Sequence, residues 1–232
     1  MLSRIRQVEL MDDLYLDPGL HTEALCGLAR LNAFSIGAYA LWKELENLVK
    51  SKNLTSLRIL DLATGGGDIP ISLSNRAHAL GWTFEFVGAD RSLTAIEFAR
   101  GEAQKEGAPV SFIHLDVLKD ELPLHYDVIM TSLFTHHLDP PEVINLLERM
   151  AMAAKHLLLV NDLVRSEFSL ASVWLATRLL TNSKIVRHDG IASVRAAYTV
   201  SEMKNMAAKA ELNNCLVKEC FPCRQLLVWK KS

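Results

Sequence analysis

"ILDLATGGGDIP", residues 59–70, decides how the rest of the chain is read. An apolar run ends in the carboxylate of Asp61. Three consecutive glycines follow, and Asp68 opens a predicted helix. A junction of strand, glycine turn and helix lets backbone pass close to a ligand. Three ligand classes compete for it. A dinucleotide fingerprint needs a third glycine at position 70, where Pro70 stands. A P-loop needs a Gly-Lys-Ser/Thr ending, which is missing. The third ligand class is a nucleoside without phosphates. Asp61 and Asp68 favour it, because carboxylates repel a pyrophosphate at a helix N-terminus and attract a cation.

Outward from this junction, strands and helices alternate. Residues 68–80 suit a helix, "TFEFVGAD" (83–90) a strand, and 92–107 a helix capped by Ser92. "VSFIHLD" (110–116) and "YDVIMTS" (126–132) read as strands. Pro140 opens a further helix, and "HLLLVND" (156–162) is a fifth strand. Such alternation predicts parallel strands with right-handed crossovers and a ligand at their carboxyl ends. The first three strands each end in an aspartate on this reading: Asp61, Asp90 and Asp116. Residues 165–181 form another apolar helix. "NSKIVRHDGIASVRAAYT" (182–199) is read as irregular. A helix and an antiparallel strand pair, "NCLVKECF" and "RQLLVWKK", follow. Residues 22–51 carry a helical period that Gly27 and Gly37 are expected to bend or break.

The 232 residues, half of them hydrophobic, suit one α/β domain with a large core. Twenty-five basic against 27 acidic residues leave no basic stripe for nucleic acid or an anionic membrane. The N-terminus lacks a signal-peptide core, and 168–180 is too short to span a bilayer and carries Arg178. A cytoplasmic protein is expected. Of four cysteines, only Cys220 and Cys223 form a CxxC, so free thiols are expected and no metal ligand set is predicted.

The run "ILDLATGGGD", "VGAD", "FIHLDV", "YDVIMTSLFTHHLDP" resembles the class I S-adenosylmethionine-dependent methyltransferases, in their small-molecule branch. The motifs cover about residues 55–162. The resemblance implies a Rossmann-like α/β fold: a seven-stranded, mostly parallel sheet with an antiparallel last strand and helices on both faces. It implies one methyltransferase domain over 1–232, with 1–54 as a helical cap and about 165–198 covering the substrate. It places the methionine part of S-adenosylmethionine on Asp61, Ala63, Gly65 and Gly67. The ribose falls on Asp90 with Arg91 beside it, and the adenine on Asp116 and Val117. Thr131 and Ser132 lie against the methyl end. Ala63 stands where glycine is commonest in the family. A sulfonium and an ammonium without phosphate suit an acidic lip, and the product would be S-adenosylhomocysteine.

"FTHHLDP" sets His136 and His137 just past the fourth strand, and a histidine is matched to a phenol or enol proton. "VRHDG" (186–190) joins His188 to Asp189 as a second candidate base with its orienter. Arg30 is a candidate for the cofactor carboxylate. The helix 168–180, with Phe168, Trp174 and Leu175, is a candidate lid, core element or dimer face, so a homodimer is compatible with the sequence. The expected reaction is O-methylation of a small phenolic or enolic acceptor, with C-methylation of a quinone-type ring and non-catalytic cofactor binding as alternatives. The missing Asn-Pro-Pro-aromatic signature after the fourth strand opposes nucleic-acid methylation, and Pro70 opposes a nicotinamide dehydrogenase.

Overall fold

The computed structural model describes residues 2–12, 16–33 and 37–231. At its centre is one seven-stranded sheet, ordered β3-β2-β1-β4-β5-β7-β6. The strands are β1 (Ser56–Leu62), β2 (Thr83–Asp90), β3 (Val110–His114), β4 (Tyr126–Ser132), β5 (Ala154–Leu163), β6 (Leu216–Cys220) and β7 (Arg224–Lys230). Strands β1 to β5 are parallel, and β7 runs antiparallel to both β5 and β6. One strand therefore opposes six, as expected. The order reverses between β1 and β4, which opens a crevice at their carboxyl ends.

Both faces of the sheet are covered. In β1, Leu60 and Leu62 enter one core with α5 (Pro140–Ala153) and α8 (Val200–Lys209). Leu57 and Ile59 enter the other, with α2 (Gly37–Lys52) and α3 (Asp68–Ala79). Strand β5 divides the same way, Leu158 and Val160 against Leu157 and Leu159. A two-residue period with both faces apolar reads as a continuous hydrophobic run, and it marks a parallel sheet sandwiched between helices.

Local chemistry ends these helices where the sequence suggests. Ser92 accepts the Ala95 N–H at the start of α4 (Leu93–Glu106). Asp139 and Glu142 form a capping box before α5, with prolines in its first turn, and Thr199 and Glu202 do the same for α8.

Four expectations change. Strand β3 stops at His114, so Asp116 lies in the following turn, and Asp61 lies inside β1 rather than at its tip. The stretch read as irregular contains α7 (Lys184–Ala196), which packs on α6 (Glu167–Leu180). Gly190 weakens its helical signal but permits that packing. A Cβ there would sit 3.0 Å from Thr177 Cγ2 and 3.1 Å from Val173 Cγ1. Nor does Gly27 break α1 (Pro18–Ala33). It faces Thr181 and Val186, and a Cβ would meet Thr181 Oγ1 at 2.8 Å.

Residues 2–12 form an extended strap that ends in a single 3-10 turn, Leu10–Asp12. Arg165 donates to the Leu2 carbonyl, and the Ile5 N–H to Arg195. Arg4 donates to the carbonyls of Ala196, His136 and Leu138 and stacks 4.1 Å above the Tyr198 ring. The strap is thereby tied to the turn after β4.

Candidate functional site

The glycine turn closes on itself through Thr64. Its hydroxyl donates to Asp61 Oδ2 at 2.6 Å, and its carbonyl accepts the Gly67 N–H. Ala63, Gly65 and Gly67 all have positive φ, 54°, 54° and 74°. Ala63 therefore carries left-handed strain that glycine would relieve. Around Gly65, a Cβ would meet nothing within 4 Å, so the loop faces open space there. At Gly67 the glycine is needed for packing: a Cβ would lie 2.8 Å from the Phe112 ring.

Asp61 is the least satisfied carboxylate on this lip. It is buried, and Oδ1 has no hydrogen-bond partner among the described residues. Burial raises its pKa; the Thr64 hydroxyl works against that, and Asp68 and Asp90 add to it, giving about 7. Its Oδ1 has room for a cationic or donor partner.

Asp90 ends β2, and both its oxygens are engaged. Oδ2 accepts the Gly65 N–H and Oδ1 the Ser92 N–H, each at 2.8 Å. It thereby clamps the glycine turn to the start of α4, and a carboxylate has acceptor capacity left for a diol. Asp116 accepts from the Leu118 N–H and pairs with Lys119 at 3.3 Å. Burial would raise its pKa, but Leu118, Lys119 and Arg91 outweigh that and lower it. Arg91 is exposed beside this turn, and its carbonyl is 3.0 Å from His114 Nε2. Val117 is buried, its carbonyl held by Arg149. Thr131 is buried near the end of β4. Its hydroxyl donates inward to the Leu62 carbonyl, fastening β4 to β1. Ser132 accepts from Asn161 Nδ2.

Past β4 a single 3-10 turn, Thr135–His137, carries the histidines. Asp162, near the end of β5 and buried, holds this turn. Its Oδ2 accepts the Thr135 hydroxyl and the His136 N–H; its Oδ1 accepts the Leu163 N–H and lies 2.7 Å from His136 Nδ1. On the far side of the ring, His136 Nε2 is 3.5 Å from Glu9 Oε1. His137 Nε2 is 3.9 Å from Glu9 Oε2. Burial disfavours a charged His136, but Asp162 and Glu9 outweigh it and raise its pKa well above the ordinary range. Burial would raise Asp162, yet His136 and Thr135 hold it below the carboxylate range. Glu9 is lowered likewise, by His136, His137 and Ser193 acting against burial. Held between two carboxylates, His136 is biased toward its protonated form, which suits positioning better than accepting a proton.

Of the predicted bases, His136 and His137 thus share a cluster that His188 does not join. His188, on α7, is exposed, bonds its neighbour Asp189 at 2.9 Å, and lines a separate cavity of about 240 Å³ with Gln7, Arg187 and Arg195. Asp189 is buried and accepts the Leu10 and Met11 N–H groups, which sets Glu9 in place. Arg30 lies exposed in the last turn of α1. The four cysteines are free thiols.

Sequence reading missed Asp162 and Glu9. Asp162 carried a signal, since it closes a predicted strand as Asp90 does. Glu9 carried none: it lies 127 positions from His136, and only the fold joins them.

Residues 59–156 match a family model described as a methyltransferase domain. The demethylmenaquinone methyltransferase of Thermus thermophilus is 41% identical over 66 residues, 28% of each chain. Among solved structures, the plantazolicin methyltransferase BpumL superposes with a TM-score of 0.65 at 17% identity, over 90% of both chains. The magnesium protoporphyrin IX methyltransferase of Synechocystis gives 0.58 at 17% identity, over 85% of this chain and 84% of that one. An O-methyltransferase family 2 protein from Planctomyces limnophilus gives 0.56 at 19%, over 76% of this chain and half of its own length. Residues 59–156 are thus similar to a methyltransferase domain, and the sheet built around them has the Rossmann-like fold of the S-adenosylmethionine-dependent methyltransferases.

Proposed function

We propose that this chain is an enzyme that transfers a methyl group from S-adenosylmethionine to a small, hydrophobic phenolic or enolic acceptor, most readily on oxygen. The buried Asp61 Oδ1, which lacks a partner, carries this reading. It sits among acids on a lip that suits a cation and repels phosphate. The residues fit the cofactor: Asp61 for the ammonium, the open backbone at Gly65 for close approach, Asp90 for the ribose hydroxyls, and Asp116 with Val117 for the adenine. When bound, the cofactor supplies an activated methyl on a sulfonium, leaving S-adenosylhomocysteine.

The remaining work falls to the chain itself. An in-line displacement needs an aligned acceptor, exclusion of water and, for a hydroxyl, a place for its proton. His137, a quarter exposed beside buried His136, is the base this cluster offers. His136, fixed by Asp162, positions it. The division into an N-terminal segment (1–54) whose helices follow the strap, a methyltransferase domain and a covering segment (about 165–198) belongs to the same proposal. The exposed Phe168, Trp174 and Leu175 of α6 are the face through which a hydrophobic acceptor, or a second copy, would be shielded. No helix among the described residues is long and apolar enough to cross a membrane. A cytoplasmic setting, in which the thiols stay reduced, completes the reading.

Calorimetry with S-adenosylmethionine tests the cofactor, and absence of binding at millimolar concentration rejects it. Mass spectrometry of cell extract incubated with the protein and isotope-labelled cofactor identifies the acceptor. A labelled methyl on ring carbon would favour the C-methyltransferase reading, which the resemblance to a demethylmenaquinone methyltransferase supports. Binding without turnover across a phenol and quinone panel would favour a non-catalytic binder.

A further inference from the structure

Glu9, His136 and His137 converge from distant parts of the chain, and one ligand atom from each lies within 4.8 Å of the others. The two imidazole rings are 4.3 Å apart, centre to centre. Ligand atoms about 2.0–2.2 Å from one tetrahedral ion stand roughly 3.3–3.6 Å from each other. The carboxylate-to-imidazole separations, 3.5 Å from Glu9 Oε1 to His136 Nε2 and 3.9 Å from Glu9 Oε2 to His137 Nε2, are near that spacing, through the two oxygens of one carboxylate.

The surroundings have the form that metal-bound histidines require. His136 Nδ1 is bonded to the buried Asp162, which fixes the ring and aims Nε2 at Glu9. Glu9 is itself oriented, with Oε1 accepting from Ser193 Oγ at 2.5 Å. Two buried carboxylates, Glu9 and Asp162, face the pair of imidazoles, and a divalent ion would balance both. His137 is partly exposed, so one side of the cluster stays open to solvent. Three protein ligands with an open fourth side is the arrangement of a reactive metal site rather than a closed structural one.

We propose that Glu9, His136 and His137 bind one divalent transition-metal ion, with Asp162 holding His136 from behind. Two imidazoles and one carboxylate suit zinc, cobalt or iron better than magnesium or calcium. On binding, the proton on His136 Nε2 passes to solvent, because that nitrogen cannot hold both. Resting on the methyl-transfer reading above, the open position takes the acceptor hydroxyl. With the ion bound, the acceptor proton leaves to solvent from the metal-held oxygen; the base role given to His137 above applies to the metal-free cluster.

The test needs neither cofactor nor acceptor, so its failure is separate from failure of the methyl-transfer reading. Full-length protein is stripped with chelator, desalted and titrated with cobalt(II), following the visible ligand-field bands, with zinc as competitor. One equivalent should bind and zinc should displace it. Glu9→Gln and His137→Ala should each weaken binding by about tenfold or more. The surface variant His78→Ala should bind as wild type. Circular dichroism melts confirm that each variant is folded, and Glu9→Gln keeps the size of the buried side chain. Absence of saturable binding by the wild-type chain would overturn the site. So would wild-type affinity in either ligand variant.

Discussion

Asp162 Oδ1 lies 2.7 Å from His136 Nδ1, while Oδ2 of the same carboxylate holds the backbone and hydroxyl of the turn that carries the ring. One side chain therefore sets both where His136 stands and which way it faces. Asp162→Asn keeps the volume but replaces one acceptor with a donor aimed at donors, beside a buried imidazolium. Removing one partner of a buried ion pair costs about 3–5 kcal/mol. Urea denaturation should show the midpoint falling accordingly with the slope unchanged.

Asp61 makes stability depend on pH. Its pKa is about 7 in the folded chain and close to ~4 when unfolded. Between those values the folded state keeps a proton that the unfolded state has released, so stability falls as pH rises from ~4 to ~7 and is level above. Asp61→Asn removes this dependence. The stability difference between variant and wild type, measured without cofactor across that range, should grow in favour of the variant and then level off. A constant difference would show that Asp61 ionises normally.

Asp90 joins the glycine turn to α4 by accepting from Gly65 and Ser92. Asp90→Ala loses these charge-assisted bonds as well as any ribose contact. S-adenosylmethionine affinity should fall by about 1–3 kcal/mol by calorimetry. Unchanged affinity would remove Asp90 from the site.

Gly67→Ala places a methyl group 2.8 Å from the Phe112 ring, in a backbone conformation at φ 74° that alanine resists. Thermal melts should show a loss of about 1–3 kcal/mol. Shortening the ring with Phe112→Leu in the same chain should restore part of it, because the clash is with that ring.

The sheet and the acidic lip were legible in the sequence because they are local. A run such as "RILDL" declares a strand buried on both faces, and the glycines after it declare a turn whose φ values other residues resist. Strands β2 and β4 fall where the alternation predicts, and Ser92 caps α4 as its side chain dictates. Helix α7 was hidden because Gly190 depresses helical propensity, and only its packing against Thr177 and Val173 outweighs that. The inward turn of the Thr131 hydroxyl also depended on a partner in another strand, the Leu62 carbonyl. The sequence alone determined that an α/β sheet would present Asp61, Asp90 and Asp116 near one edge, since spacing and period set this along the chain. Only the tertiary structure decided that Glu9 meets His136 and His137. Their contact requires the N-terminal strap to be held by Arg4, Arg165 and Asp189, and no period in the chain records a contact between residues so far apart.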